Sequence, residues 1–537
     1  MKQVTSLFIL FLTLSLSLHG QEQYMVFFKD KANTTYSTNR PLEFLSERSV
    51  SRRLKHNVAV SEEDIPVNKT YVTRVAALGV ETFFTTRWMN AVLVQMEDAF
   101  VNDVLALSFV DRVELVSPNA ILSQRPSERA DTEESPIEPP RVERLQYQML
   151  GINDMHAAGY KGAGVMVAIF DSGFENYTSI PAFNHILEQN RLAHTFNYVD
   201  NNANVDNRYD HGLRVLSILG ADGEMIGAVP EATFVLAVTE NEASEYRIEE
   251  YNWLFAAEMA DSIGVDVINT SLGYSEFDDA SMDYLESQMD GSTTVITRAS
   301  NLAASKGILL VNSAGNQRTS SWQSVTAPAD SENVLAVGAI NSTESLASFS
   351  SSGPTADNRI KPDVVALGVN TQLLTSSNSI AFQSGTSFSS PLIAGLSAGL
   401  VQAFPEKTNL ELMDIIRQSA DRAEAPDQDF GYGIPFFETA AKIADAALIP
   451  IEEGVIAYPN PTDLTYLTLS FSEAFFGEDI SVNVVNSNGS TVERFSFTPN
   501  LFNNKQQIDL SKVRPGLLLV RLVTPDGLIT KKIIKTR

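Results

Sequence analysis

Cysteine is absent from the 537 residues. That excludes disulfides, thiolate zinc sites, thiol nucleophiles and lipid attachment through a thiol. Positive charge is scarce, with 39 Lys+Arg against 66 Asp+Glu and a formal net charge of -27. Such a chain repels phosphate backbones, which argues against nucleic acid as the main partner. No HExxH occurs, so a zinc peptidase of that kind lacks its ligands. Long apolar runs are missing apart from residues 7–18, which follow Met1-Lys2. One positive charge before a short apolar stretch reads as a secretory signal peptide over residues 1–20, ending at the small residue Gly20. The run is short for a helix that must cross roughly 30 Å of hydrocarbon. The mature protein is therefore expected to be exported, with no transmembrane segment after signal removal, and held by core packing.

What is present is an ordinary globular balance, 44% hydrophobic and 20% charged. At roughly 150 residues per domain the length allows three or four domains. Residues 21–122 mix short alternating runs, such as Tyr24-Met25-Val26-Phe27-Phe28 and Ala91-Val92-Leu93-Val94, with helix-like stretches at 43–55 and 99–107. That mixture predicts a small α+β domain. Residues 123–144 are polar and proline-rich, the composition of an exposed linker where proteolysis concentrates. From 145 to 447, continuous apolar runs (165–170, 233–238, 265–269, 308–311, 334–337) alternate with helical stretches (245–263, 293–306). Strands buried on both faces and separated by helices predict an α/β doubly wound parallel sheet. Reactive groups of such sheets belong at the carboxyl ends of the strands. Residues 454–537 lose the helical period, and alternating runs meet at Asn488-Gly489 and Pro525-Asp526-Gly527, which predicts a small all-β sandwich.

Three segments carry chemistry. The first strand of the α/β region ends in Asp171-Ser172-Gly173, Asp210-His211-Gly212 opens an apolar helical stretch, and Gly385-Thr386-Ser387 precedes a small-residue helix. Serine is a weak nucleophile that needs an adjacent base, and the base needs an orienting acid. Asp171, His211 and Ser387 supply those parts. Gly385 is expected to let the chain turn sharply, leaving Ser387 at a helix N-terminus where free N–H groups favour developing negative charge. Each residue also has a plainer reading, since Asp171 suits a turn, Ser387 an N-cap and His211 a helix start. The other five histidines stand in no matching context.

The three motifs, in this order over roughly 300 residues, resemble those of subtilisin-like (S8 family) serine peptidases. The segment Val267-Ile268-Asn269-Thr270-Ser271-Leu272-Gly273 is similar to the family's strand that pairs with extended substrate. Asn312-Ser313-Ala314-Gly315-Asn316 is similar to the segment that carries its oxyanion-hole asparagine. The resemblance implies a serine endopeptidase with Asp171, His211 and Ser387 as triad, and with Asn316 and the Ser387 N–H facing the oxyanion. It implies substrate-binding segments Ser271, Leu272, Gly273 and Ser313, Ala314, Gly315, protein or peptide substrates, and no required cofactor. Leu213 stands where the family usually has Thr, and Phe388-Ser389-Ser390 replaces Met-Ala-Ala. A glutamate in place of His211 would mark the carboxyl-serine relatives, and it is absent. Residues 21–122 resemble the family's inhibitory propeptide, an intramolecular inhibitor blocking the cleft, with self-cleavage expected in the 123–144 linker. Residues 454–537, with Tyr458-Pro459-Asn460-Pro461 and Lys531-Lys532, resemble the sorting domain of the type IX secretion system. That implies export across the outer membrane of a Gram-negative bacterium, to the medium or the cell surface.

Two points stay open. The loop at 200–207 is rich in the oxygen ligands calcium favours, but its spacing does not fit an EF-hand, so calcium is not readable. The alternative function is an inactive secreted binding or adhesion protein on the same scaffold. If His211 is the base, activity should fall as pH drops through about 6.5.

Overall fold

The computed structural model describes residues 22–118, 145–206, 209–446, 455–458, 466–471, 475–486, 489–500, 503–524 and 527–536. The expected signal peptide, the linker from 119 onward, Asn488, Pro459 to Pro461, and Pro525-Asp526 lie outside the described residues.

Met166–Asp171 is the organising strand. Its alternating positions are fully buried on both faces, as the continuous apolar run requires. It sits inside a seven-stranded sheet whose order is Val364–Leu367, Leu335–Ile340, Leu309–Ser313, Val267–Thr270, Met166–Asp171, Thr233–Val238 and Leu192–Asn197. All six neighbouring strand pairs of this sheet run parallel. The chain fills one side of Met166–Asp171 first and then crosses to Val267–Thr270 on the other. This reversal creates a crevice at the strands' carboxyl ends. One face packs on helices His211–Gly220 and Thr386–Ala403, and the other on Ile248–Ile263 and Val295–Ser305.

The N-terminal segment forms a four-stranded antiparallel sheet in the order Glu81–Thr86, Ala91–Met96, Glu22–Phe28, Val110–Ser117. Period-two alternation divides its faces. Met25, Phe27 and Leu93 join the core over Ile248–Ile263, whereas Tyr24, Val26 and Phe28 build a core of their own. The predicted helix at 43–55 begins only at Glu47, because the Ser46 hydroxyl accepts the Ser49 N–H and caps it there. Arg52 and Arg53 of this helix, with Arg87, are buried against Asp261 of the neighbouring helix at 2.6, 2.7 and 2.7 Å. Three cations around one carboxylate are tolerable because Arg53 also grips Asp64, and the Arg87 guanidinium lies 4.0 Å from the Glu258 carboxylate.

At the C-terminus a three-stranded and a four-stranded antiparallel sheet share one apolar core. Ile480–Asn486 pairs with Thr491–Phe497, and Gly516–Thr524 with Gly527–Lys535, as the two turn signals predict.

Candidate active site

Asp171 is the last residue of the central strand and is fully buried. Its Oδ1 accepts from the Ser172 backbone N–H at 2.8 Å and pairs with His211 Nδ1 at 2.7 Å. His211 opens the helix His211–Gly220, and Gly212 is what brings that helix so close. A Cβ at Gly212 would lie 2.6 Å from the Gly173 carbonyl oxygen and 2.9 Å from Asp171 Cβ, so any side chain there would push the imidazole off the carboxylate. With Nδ1 committed to Asp171, Nε2 is the ring atom left for proton transfer. Phe388 packs against the His211 ring at a centroid distance of 5.7 Å. The departure from Met at this position thus supplies an aromatic wall, and Leu213 is buried in the main core.

Ser387 is the second residue of the helix Thr386–Ala403 and is 7% exposed. Gly385 before it is extended (φ 160°, ψ 151°), so the helix starts without the sharp glycine turn expected from the sequence. Two buried contacts hold the helix to the neighbouring strand end. Ser271 Oγ donates to the Ser387 carbonyl at 2.9 Å, and Ser390 Oγ donates to Asn269 Oδ1 at 2.9 Å. Ser387 Oγ lies 3.5 Å from the Ser271 carbonyl oxygen, too long to tie it down, and it opens on the same pocket as His211. Asn316 lines that pocket too. Its Oδ1 accepts both the Thr386 N–H and the Thr386 hydroxyl at 2.9 Å, which leaves Nδ2 as its free donor.

The pocket has a volume of about 270 Å³. Ser271, Leu272, Gly273, Ser313, Gly315 and Asn316 line it. Ala314 does not. It is fully buried among Val325, Ala329 and Ala336, its N–H donates to Val337, and its carbonyl faces the Thr326 N–H. In an extended segment alternate side chains point to opposite faces, and Ala314 takes the core face.

Sequence reasoning missed the floor of the pocket and one wall. Thr326, 3% exposed, fills the space between the two glycine segments. Its Oγ1 lies 2.0 Å from where a Gly273 Cβ would sit and 3.1 Å from where a Gly315 Cβ would sit. Gly315 also adopts φ +102°, a conformation side chains rarely take. Thr326 Oγ1 has no hydrogen-bond partner among the described residues. Behind Gly273, burial and the adjacent Glu240 push the Tyr274 phenol well above its ordinary value, so it remains a donor to that carboxylate. On the other side stand Ser172 and Glu242, with Arg214 paired to Asp210 at 2.8 Å. No local motif marks Thr326 or Glu242. Thr386 lies inside the Gly385-Thr386-Ser387 motif, but the motif gave no hint of its grip on Asn316.

Three family models match successive parts of the chain. A family model described as the subtilase family matches residues 162–433. One described as the peptidase S8 propeptide domain of Bacteroidota matches 23–136, and one described as a secretion system C-terminal sorting domain matches 456–536. The thermophilic serine proteinase of Bacillus sp. (strain AK1) is 31% identical over 281 residues, 50% of this chain and 60% of that protein. The chain thus spans less than two thirds of that relative's length. A subtilisin from Bacillus pumilus is 31% identical over 272 residues, covering 50% of this chain and 87% of the relative. The epidermin leader peptide processing serine protease of Staphylococcus aureus superposes with a TM-score of 0.53 at 16% identity, over 78% of this chain and 99% of that one, a likeness of fold alone.

Proposed function

The chain belongs to the subtilase family, and from that premise we propose that it is a secreted serine endopeptidase acting through an acyl-enzyme on Ser387. The observation that carries the reading is the buried Asp171 carboxylate 2.7 Å from His211 Nδ1, beside a pocket that Ser387 also lines. In this mechanism His211 Nε2 takes the Ser387 proton as Oγ attacks the peptide carbonyl. It later delivers the proton to the leaving amine. Asp171 keeps the proton on Nδ1 and stabilises the imidazolium without becoming protonated itself. The tetrahedral oxyanion is met by the Ser387 backbone N–H at the helix N-terminus and by Asn316 Nδ2. Thr386 fixes the Asn316 amide before substrate arrives. Such preorganisation makes the donors stronger in the transition state than in the ground state.

The substrate backbone would run along Ser271-Leu272-Gly273 and Ser313 to Gly315, with the side chain before the scissile bond (P1) pointing to Thr326. A floor this high suits small P1 residues. The four-stranded domain acts as an intramolecular inhibitor, with domain limits at 21–122, 145–447 and 454–537 and cleavage inside 123–144. Its described residues do not line the pocket, and they dock on the helix Ile248–Ile263 instead. The C-terminal sandwich addresses the protein for export. No described helix is long and apolar enough to cross a membrane.

The test is hydrolysis of a peptide library by the secreted protein and by Ser387→Ala. Cleavage by the wild type and a loss of about 10⁶-fold in the variant is expected. Equal hydrolysis by both proteins overturns the reading.

A further inference from the structure

Resting on the peptidase reading, we propose that Glu242 is a specificity-determining residue that selects a basic side chain at P2, one position before P1. Sheet order sets the pocket's layout. Gly315 and Gly273 follow the strands Leu309–Ser313 and Val267–Thr270, Ser172 follows the central strand, and Glu242 follows Thr233–Val238 on its far side. Glu242 therefore stands across the catalytic strand from the two glycine segments. Side chains of an extended peptide alternate between faces. With P1 directed between Gly273 and Gly315, P2 emerges on the other face, toward His211 and Glu242. Two strand spacings are about 10 Å, a gap that a lysine or arginine side chain helps to close.

Charge points the same way. Asp210, also in the pocket, is neutralised by Arg214. Glu242 has no ion-pair partner among the described residues, and it is exposed. Its Oε1 accepts the Ser172 hydroxyl at 2.5 Å, which aims the carboxylate along the cleft and leaves Oε2 free. Carboxylate oxygens of Glu240, Glu245 and Glu249, in the same loop and the helix start after it, lie within 4.8 Å of one another and deepen the negative potential. A cationic side chain on a bound peptide is the complement this wall lacks.

The experiment uses the secreted, processed protein with three peptides that share an alanine P1 and differ only in Lys, Ala or Glu at P2. The expected wild-type kcat/KM is about tenfold or more higher for Lys than for Glu, the ratio shrinking as salt rises. In Glu242→Gln the ratio should fall about tenfold, and in Glu242→Lys it should invert. A wild-type ratio near one, or a ratio that survives both substitutions, overturns the proposal. So does an equal loss on all three peptides, which would make Glu242 a positioning residue acting on Asp171 through Ser172. Failure to cleave any peptide, with no labelling of Ser387 by a serine-directed phosphonate, would overturn the peptidase reading itself.

Discussion

Removing the Thr326 side chain should change what the pocket accepts. Thr326→Gly deletes Cβ, Cγ2 and the unpartnered Oγ1 that now fill the gap between Gly273 and Gly315. The pocket would deepen by the volume of three heavy atoms while both backbone walls stay where the sheet holds them. One fitting methylene in an apolar pocket is worth about 1–3 kcal/mol, or roughly 10–200-fold in kcat/KM. Matched peptides with Ala, Leu or Phe at P1 should therefore show Leu and Phe gaining at least about tenfold relative to Ala. Thr326→Val is the control, because it keeps the bulk and replaces only the hydroxyl. A buried hydroxyl without a partner costs about 1–3 kcal/mol, so the valine variant should melt no lower than the wild type and keep its preference for a small P1. Steady-state kinetics on the three peptides and a thermal melt give both readouts. The reasoning is refuted if Thr326→Gly leaves the Leu-to-Ala ratio unchanged, or if the valine variant shifts it as far as glycine does.

Asn316→Ala should lower kcat by about 10²–10³ with little change in KM, since Nδ2 acts on charge that develops only in the transition state; a pure KM effect would count against that role. Asp261→Ala strips three buried arginines of their shared partner, and breaking such a network costs about 3–5 kcal/mol. Once cleaved in the linker, this variant should release the N-terminal domain readily, which size-exclusion chromatography of the processed protein would detect. His56 provides a pH dependence at the same interface. Burial first, then the nearby Lys55 and Arg52 charges, lower its pKa from 6.5 to about 4, against opposing effects of Asn409 and Asp266. Docking therefore favours the neutral ring, and its contribution is complete above about 6.5 and lost as pH falls toward 4. Dissociation of the processed N-terminal domain should rise across that window, and His56→Gln should flatten the profile.

Much of the fold was legible because the signal was periodic. The run at 233–238 became the strand Thr233–Val238 without a shift, ending where the polar Thr239 and Glu240 follow. The run at 265–269 became Val267–Thr270, because Val265 and Asp266 turn out of the preceding helix, where the Val265 N–H still bonds to Ala260. Asp171, His211 and Ser387 were legible for a different reason. Histidine is scarce in this chain, with six in all, and each of the three residues stands within two positions of a glycine in a recognisable motif. Thr326, Glu242 and Thr386 act by where the chain brings them, between two distant glycines, across a strand or under an amide, and no local pattern encodes such placement. Ala314 shows the converse, a residue inside a legible motif whose side chain the pleat directs to the core.

One measurement bears on the central claim more directly than the rest. The secreted protein is treated with a serine-directed phosphonate, digested, and the modified residue located by mass spectrometry. A single adduct on Ser387, abolished in His211→Ala although the serine remains, is the predicted result. An unmodified Ser387 in protein that nevertheless cleaves peptides, or labelling that persists without His211, would contradict it.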